Sequence, residues 1–198
     1  MELIFNNQIS IFKDIFYKYL TQKQCIKLYT SNLILYNIFI DNNKFKSNYF
    51  TPKTNKELYK AVDEWYHNKK LSIIKYGDIG YWNTIYITDM HKLFEYKSRF
   101  NDDISDWNTS NVIDMKYMFS DCYYFNQDIS NWDIKNVITI TGIFINNYEF
   151  NQNLNKWDIN NVQEMNNMFT NNRKFNKLNC KDWDLSNKAE YNKIWMFN

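Results

Sequence analysis

Glycine and proline are nearly absent from this 198-residue chain, with three of the first and one of the second. That scarcity excludes a flexible linker and a glycine loop cradling phosphate, since both need backbone freedom at several positions. The join in the chain is expected around residues 41–54, where Pro52 stands just ahead of Thr54 and Glu57. Three cysteines, Cys25, Cys122 and Cys180, lie far apart without C-x-x-C spacing. Their odd count fits a reducing compartment and gives no support to zinc. The two histidines, His67 and His91, neighbour no recurrent Ser or Cys, so no catalytic residue is expected. Asp102, Asp103 and Asp106 cluster but lack the glycine turns of calcium-binding repeats, and no metal or cofactor is expected. No stretch approaches about 18 apolar residues, and no basic segment leads into a long apolar run. A soluble, intracellular, cytoplasmic protein that is not an enzyme is the expectation.

Charge is unevenly placed. Residues 1–74 carry 11 basic and 6 acidic residues, whereas residues 75–198 carry 13 basic and 16 acidic. The acidic excess of the second part argues against binding a phosphate backbone there. Lys69 and Lys70 read as part of a solvated face. Heavy use of Asn, Ile, Lys, Tyr and Phe fits an AT-rich genome, such as that of a large DNA virus or a mycoplasma-like bacterium.

What the chain does have is a period. Phe100-Asn101, Phe125-Asn126, Phe150-Asn151 and Phe175-Asn176 recur at 25 residues, and Trp82, Trp107, Trp132 and Trp157 keep the same interval. Trp183 misses it by one because of an insertion near Asn179-Cys180. A fixed period in this range marks repeats that bury their apolar side against neighbouring repeats. In the unit 125–149 the repeated apolar positions are Phe125, Ile129, Trp132, Val137, Ile140, Ile143 and Phe144. Val112, Met115, Met118 and Phe119 have the spacing of one helical face, while Ile104 to Trp107 reads as a brief strand. Val-x-x-Met as a second short strand before a single helical turn is the alternative. The expected fold is an α/β repeat: a short leucine-rich-repeat-like solenoid of about five 25-residue coils with an α-helical N-terminal region. Its expected domains are a helical region at 1–50, an amphipathic lead-in helix at 51–74 and the repeats at 75–198.

Within each unit the recurring residues read as structural. The Asn columns 101/126/151/176 and 111/136/161 are expected to satisfy main-chain groups at corners. The Trp column is expected in the core, with each indole N–H needing an acceptor. Aspartates Asp128, Asp133 and Asp158 are expected to cap turns. Candidate partner-binding residues are those that vary between units, chiefly Asn108, Asp133 and Asp158 after the Trp, and Lys116 in the column with His91, Thr141 and Asn166.

The series FNQDISNW-D-x-x-NV-x-x-M-x-x-MF-x-x-C resembles the BspA-like family of leucine-rich-repeat surface proteins, closest to its mycoplasma branch of unknown function. The resemblance covers about residues 52–187, with 52–90 similar to the usual lead-in. It implies a solenoid that binds other proteins, and no catalytic residue. Residues 8–40 resemble the F-box, through Ile15-Phe16 with Tyr19-Leu20, then Thr21, Cys25 and Leu28, then Ser31-Asn32. The usual Leu-Pro opening is replaced by Asn6-Asn7-Gln8-Ile9. That resemblance implies docking on a Skp1-type adaptor of ubiquitin ligases through Ile15, Phe16, Leu20 and Leu28. A plain helical cap is the alternative reading of the same segment. The functional expectation is therefore a protein–protein interaction module, as an F-box-type adaptor or as a structural, virion- or surface-associated binding protein.

Overall fold

The computed structural model describes residues 50–190 and Met196. The chain divides into two units, Met1–Asn48 and Tyr49–Asn198, and the described residues all belong to the second. Ile15, Phe16, Leu20 and Leu28, with the whole F-box-like segment, lie outside them.

Helix α1 (Asn55–His67) forms because Leu58, Ala61, Val62 and Trp65 recur at helical spacing, and all four are buried. Thr54 caps its first turn, its side chain accepting from the Glu57 N–H at 3.2 Å. The Glu57 carboxylate reaches back to the Lys53 N–H at 2.7 Å. Asn68 then serves two helices: its N–H donates to the Glu64 carbonyl at 2.8 Å, and its side chain accepts from the Leu71 N–H at the head of α2 (Lys69–Tyr76). Gly77, at φ 75, ends α2 in a conformation that glycine adopts without strain.

The expected α/β leucine-rich-repeat solenoid of about five coils is overturned at the level of its elements. Among the described residues, 77–189 hold no α-helix and no named strand; the two named α-helices precede that stretch, which has short 3-10 turns at Ile79–Tyr81 and Lys177–Cys180. Extended pairing is reduced to isolated parallel bridges, Asp89 with Asp114, Asp114 with Thr139 and Thr139 with Glu164. The reason lies in the backbone. Tyr117 and Asp121 have φ of 56 and 59, and the same two positions are left-handed in the other units, at Lys92 and Tyr96, Gly142 and Asn146, Asn167 and Asn171. Two left-handed residues four positions apart in each of these units prevent a helix from propagating.

What replaces helix and strand is a series of overlapping turns. The N–H groups of Met118, Ser120 and Cys122 donate three residues back, to Met115, Tyr117 and Phe119. The alternate N–H groups of Met115, Tyr117, Phe119 and Asp121 donate to Thr139, Thr141, Ile143 and Ile145 in the following unit, at 2.9–3.0 Å. Every backbone donor from Met115 to Cys122 except that of Lys116 is thus used by main chain, and the Lys116 N–H goes to the Asp114 carboxylate at 2.7 Å. Three-residue turns reproduce the spacing of one helical face, which is why Val112, Met115 and Met118 read as a helix. The stretch Ile104–Trp107 is likewise a turn, closed by the Trp107 N–H on the Ile104 carbonyl at 3.1 Å.

Units lie upon one another at the sequence period. Phe94, Phe119, Phe144 and Phe169 stack at 5.3–5.8 Å, and Phe100, Phe125, Phe150 and Phe175 at 5.9–6.1 Å. The two files touch at 3.7–4.0 Å across each boundary between units, from Phe94 on Phe100 to Phe169 on Phe175. Trp82, Trp107, Trp132, Trp157 and Trp183 are all buried. The indoles of Trp107, Trp132, Trp157 and Trp183 donate to the carbonyls of Ile79, Ile104, Ile129 and Leu154 in the preceding unit, at 2.8–3.1 Å. Each buried ring contributes about 1.5–3 kcal/mol, and stacking adds about 0.5–1.5 kcal/mol per pair.

The first and last units are tied by side chains that the regular units lack. At the first unit, Asn55 of α1 accepts from the Thr88 N–H at 3.1 Å and Tyr59 donates to the His91 carbonyl. Trp65 and Lys69 hold the Asp102 carboxylate there, and Lys97 pairs with Asp63 at 3.1 Å. At the last unit, Lys188 occupies the column of Val112, Val137 and Val162 and is buried. Its ammonium donates to the carbonyls of Ile159, Asn160 and Val162 at 2.6, 3.0 and 2.8 Å. Its three N–H donors are matched by three main-chain acceptors of the preceding unit.

Candidate binding surface

Polar columns hold the corners of the stack. The Asn101 side-chain oxygen accepts from the Asn126 N–H, Asn126 from Asn151 and Asn151 from Asn176, all at 2.8–2.9 Å. Asn111, Asn136 and Asn161 donate their amides to the carbonyls of Ile85, Ser110 and Lys135 in the unit before, at 2.6–2.8 Å. Asparagine is abundant because a short amide satisfies a main-chain group at each corner.

The variable residues after each Trp prove to be turn formers. Asn108, Asp133 and Asp158 each accept from the N–H two residues on, at 3.0–3.1 Å, as do Asn83 at 3.2 Å and Asp184 at 2.9 Å. Asp128 does the same for Ser130 at 2.9 Å. That backbone bond, with help from the Ser130 hydroxyl, holds the Asp128 carboxyl below its ordinary value. For Asp133 the Lys135 ammonium is the larger cause, and for Asp184 the Ser186 N–H. Lys116 is half-buried with its ammonium 5.4 Å over the Tyr117 ring. Asn108, Asp133 and Asp158 stand in one column on successive units and Lys116 in another, and none of the four lines the groove formed by Tyr86, Ile113 and Ile138. Among the described residues no group of three or more His, Cys, Asp or Glu could hold a metal. Asp102 and Asp103 are committed to Trp65, Lys69 and the Ser105 N–H. Cys122 is buried with its thiol on the Phe94 carbonyl, and burial pushes that thiol up; burial also pushes Cys180 up to about 11. Neither is poised as a nucleophile.

The surface that does converge was not singled out by position in the repeat. Tyr86, Ile113 and Ile138 are 55%, 46% and 41% exposed, and with Ile85 they line a shallow groove of about 560 Å³. Thr88, Asn111 and Asn136 form its polar side. The backbone beneath is tied from unit to unit, with the N–H groups of Ile113, Ile138 and Gln163 donating to Thr88, Ile113 and Ile138 at 2.8 Å. The available signal was an apolar pair, Ile113 and Ile138, directly after the buried Val, a position whose side chain must point outward.

These features define a turn-built repeat protein with an apolar file on one face and no assembled catalytic centre among the described residues. The chain belongs to the family described as Mycoplasma protein of unknown function, DUF285, whose family model matches residues 60–183 and 129–197. The match does not reach residues 8–40. No curated protein and no solved structure matches the chain.

Proposed function

We propose that this chain is a non-enzymatic protein-interaction module that engages its target through the groove of Tyr86, Ile113 and Ile138. The observation that carries the reading is an exposed apolar file on a backbone bonded from unit to unit. Large apolar side chains held in fixed positions lose little entropy on binding and are the usual anchors of an interface. In its finer form, residues 8–40 dock on a Skp1-type adaptor through Ile15, Phe16, Leu20 and Leu28, so that the target is brought to a ubiquitin ligase. The acidic excess of residues 75–198 supports a protein target over a nucleic acid.

Two measurements separate the layers of this proposal. Calorimetric titration of the full chain with purified Skp1-type adaptor should give binding that Leu20→Asp abolishes; silence from the wild type removes the adaptor form and leaves the module. Cross-linking in the native cell should lose its protein adducts in the Ile113→Asp, Ile138→Asp double variant. An unchanged set of adducts removes the groove. A structural or surface-associated role without a ligase is the second reading, supported by the family match to mycoplasma proteins. Co-purification with particles or envelopes that survives Leu20→Asp favours it.

A further inference from the structure

Among 24 basic residues the chain has two arginines, Arg99 and Arg173, and both stand at one corner of the stacked units. In the 25-residue register Arg99 shares a column with Tyr124, Glu149 and Lys174, and Arg173 shares the adjoining column with Ser98, Tyr123 and Tyr148. Tyr148 stacks on Tyr123 at 5.0 Å, and the Arg173 guanidinium lies 4.4 Å over the Tyr148 ring. Both arginines are exposed, and Tyr124 beside them is 58% exposed. The neighbouring lysines are spoken for: Lys174 pairs with Glu149 and Lys97 with Asp63. Among the described residues no carboxylate pairs with either guanidinium, so two planar forks of N–H donors face outward. Ser98 stands where a further ring would continue the column, so among the described residues the second face of Tyr123 has no aromatic neighbour.

We infer that this corner docks an extended acidic segment of a partner protein, with Arg99 and Arg173 each taking a carboxylate and Tyr123 and Tyr124 taking the side chain between them. The inference rests on the interaction-module reading and adds to it the chemistry of a partner. Residues 96–99, 121–124, 146–149 and 171–174 hold four cations and two carboxylates, and with Asp63 on Lys97 one positive charge is left over, on a repeat region that is otherwise acidic. A local positive corner on an acidic body favours a short acidic strip over a broad anionic surface. Three unit steps separate the two arginines, roughly 14 Å at about 4.8 Å per parallel step, which an extended chain covers in about four residues. Guanidinium forks bind carboxylates in bidentate fashion, which a lysine cannot copy. Single-stranded nucleic acid is the poorer fit. Its successive bases need successive open rings, whereas in this column Tyr148 is sandwiched between Tyr123 and Arg173, so the rings do not present open faces unit after unit.

Panning a phage-displayed random dodecapeptide library on the full chain tests this. Enriched peptides should carry two carboxylates about four residues apart, and their affinity should fall about tenfold or more for each of Arg99→Ala and Arg173→Ala. Arg→Lys at the same positions should lose a large part of that, since charge alone is retained. Peptides without acidic pairs, or peptides indifferent to both arginine variants, overturn the inference. If those same peptides are lost in Ile113→Asp, Ile138→Asp, the groove and the module reading stand while the corner falls. No enrichment, or stronger arginine-dependent binding of a 16-nucleotide oligothymidylate than of any peptide, also overturns it.

Discussion

Individual side chains in this protein carry a burden set by the repeat, because each is seated against its own equivalent one unit away. The Trp132 indole illustrates it: the ring is buried and its N–H donates to the Ile104 carbonyl at 3.1 Å. The same carbonyl also receives the Trp107 N–H, so loss of the indole bond leaves it partly satisfied. Trp132→Phe should therefore destabilise by about 1–3 kcal/mol, from a lost hydrogen bond and a smaller ring in a packed column. Urea denaturation monitored by circular dichroism measures this. A change below about 0.5 kcal/mol would mean that the indole N–H contributes nothing. The role of such residues was readable from spacing alone, since a Trp every 25 residues beside a Phe every 25 residues has little to do but stack. The Arg99 and Arg173 corner was not readable in that way. Its members fall in columns where residue types differ, and only three-dimensional placement brings them together.

At the scale of the element, the turns are where side-chain chemistry stands in for regular hydrogen bonding. Asp128, Asp133 and Asp184 close their turns as carboxylates, and each is held below its ordinary value of 3.8. A carboxyl depressed in the folded state contributes stability above 3.8, and that contribution is lost as pH falls below it through the folded value. The melting temperature should accordingly hold from pH 7 to about pH 5 and decline below about pH 4. Asn83, Asn108 and Asn153 close the equivalent turns as neutral amides. The triple variant Asp128→Asn, Asp133→Asn, Asp184→Asn should therefore keep the fold at pH 7 and show a shallower acid decline. An identical decline in the variant would show that other groups govern acid stability. Turn capping by aspartate was legible in the sequence; the helix and strand were misjudged for a physical reason. Overlapping turns repeat apolar residues three apart as a helix does; of the left-handed residues that distinguish them, Lys92, Tyr96 and Tyr117 carry no glycine-like signal, whereas Gly142, Asn146, Asn167 and Asn171 do.

Across the described residues as a whole, cohesion comes from contacts between neighbouring units, with α1 tied to the first of them and Lys188 tying the last to the one before. Removal of residues 125–149 joins the Phe100 unit to the Phe150 unit, which present matching rings and matching backbone donors. The shortened chain should unfold cooperatively with reduced stability and a smaller denaturant dependence, as expected where stability sums over neighbours. Collapse to an unfolded chain would show that the units depend on distant contacts. The period, the buried Phe and Trp files, the helix with Leu58 and Trp65 and its Thr54 cap were all written in residue order, because burial and capping depend on spacing along the chain. The alternation of backbone donors between a turn and the next unit was decided only once units met, since half of those bonds have no acceptor within a single repeat. So was the exposed groove of Tyr86, Ile113 and Ile138: an outward side chain becomes part of a surface only when its neighbours across units are in place.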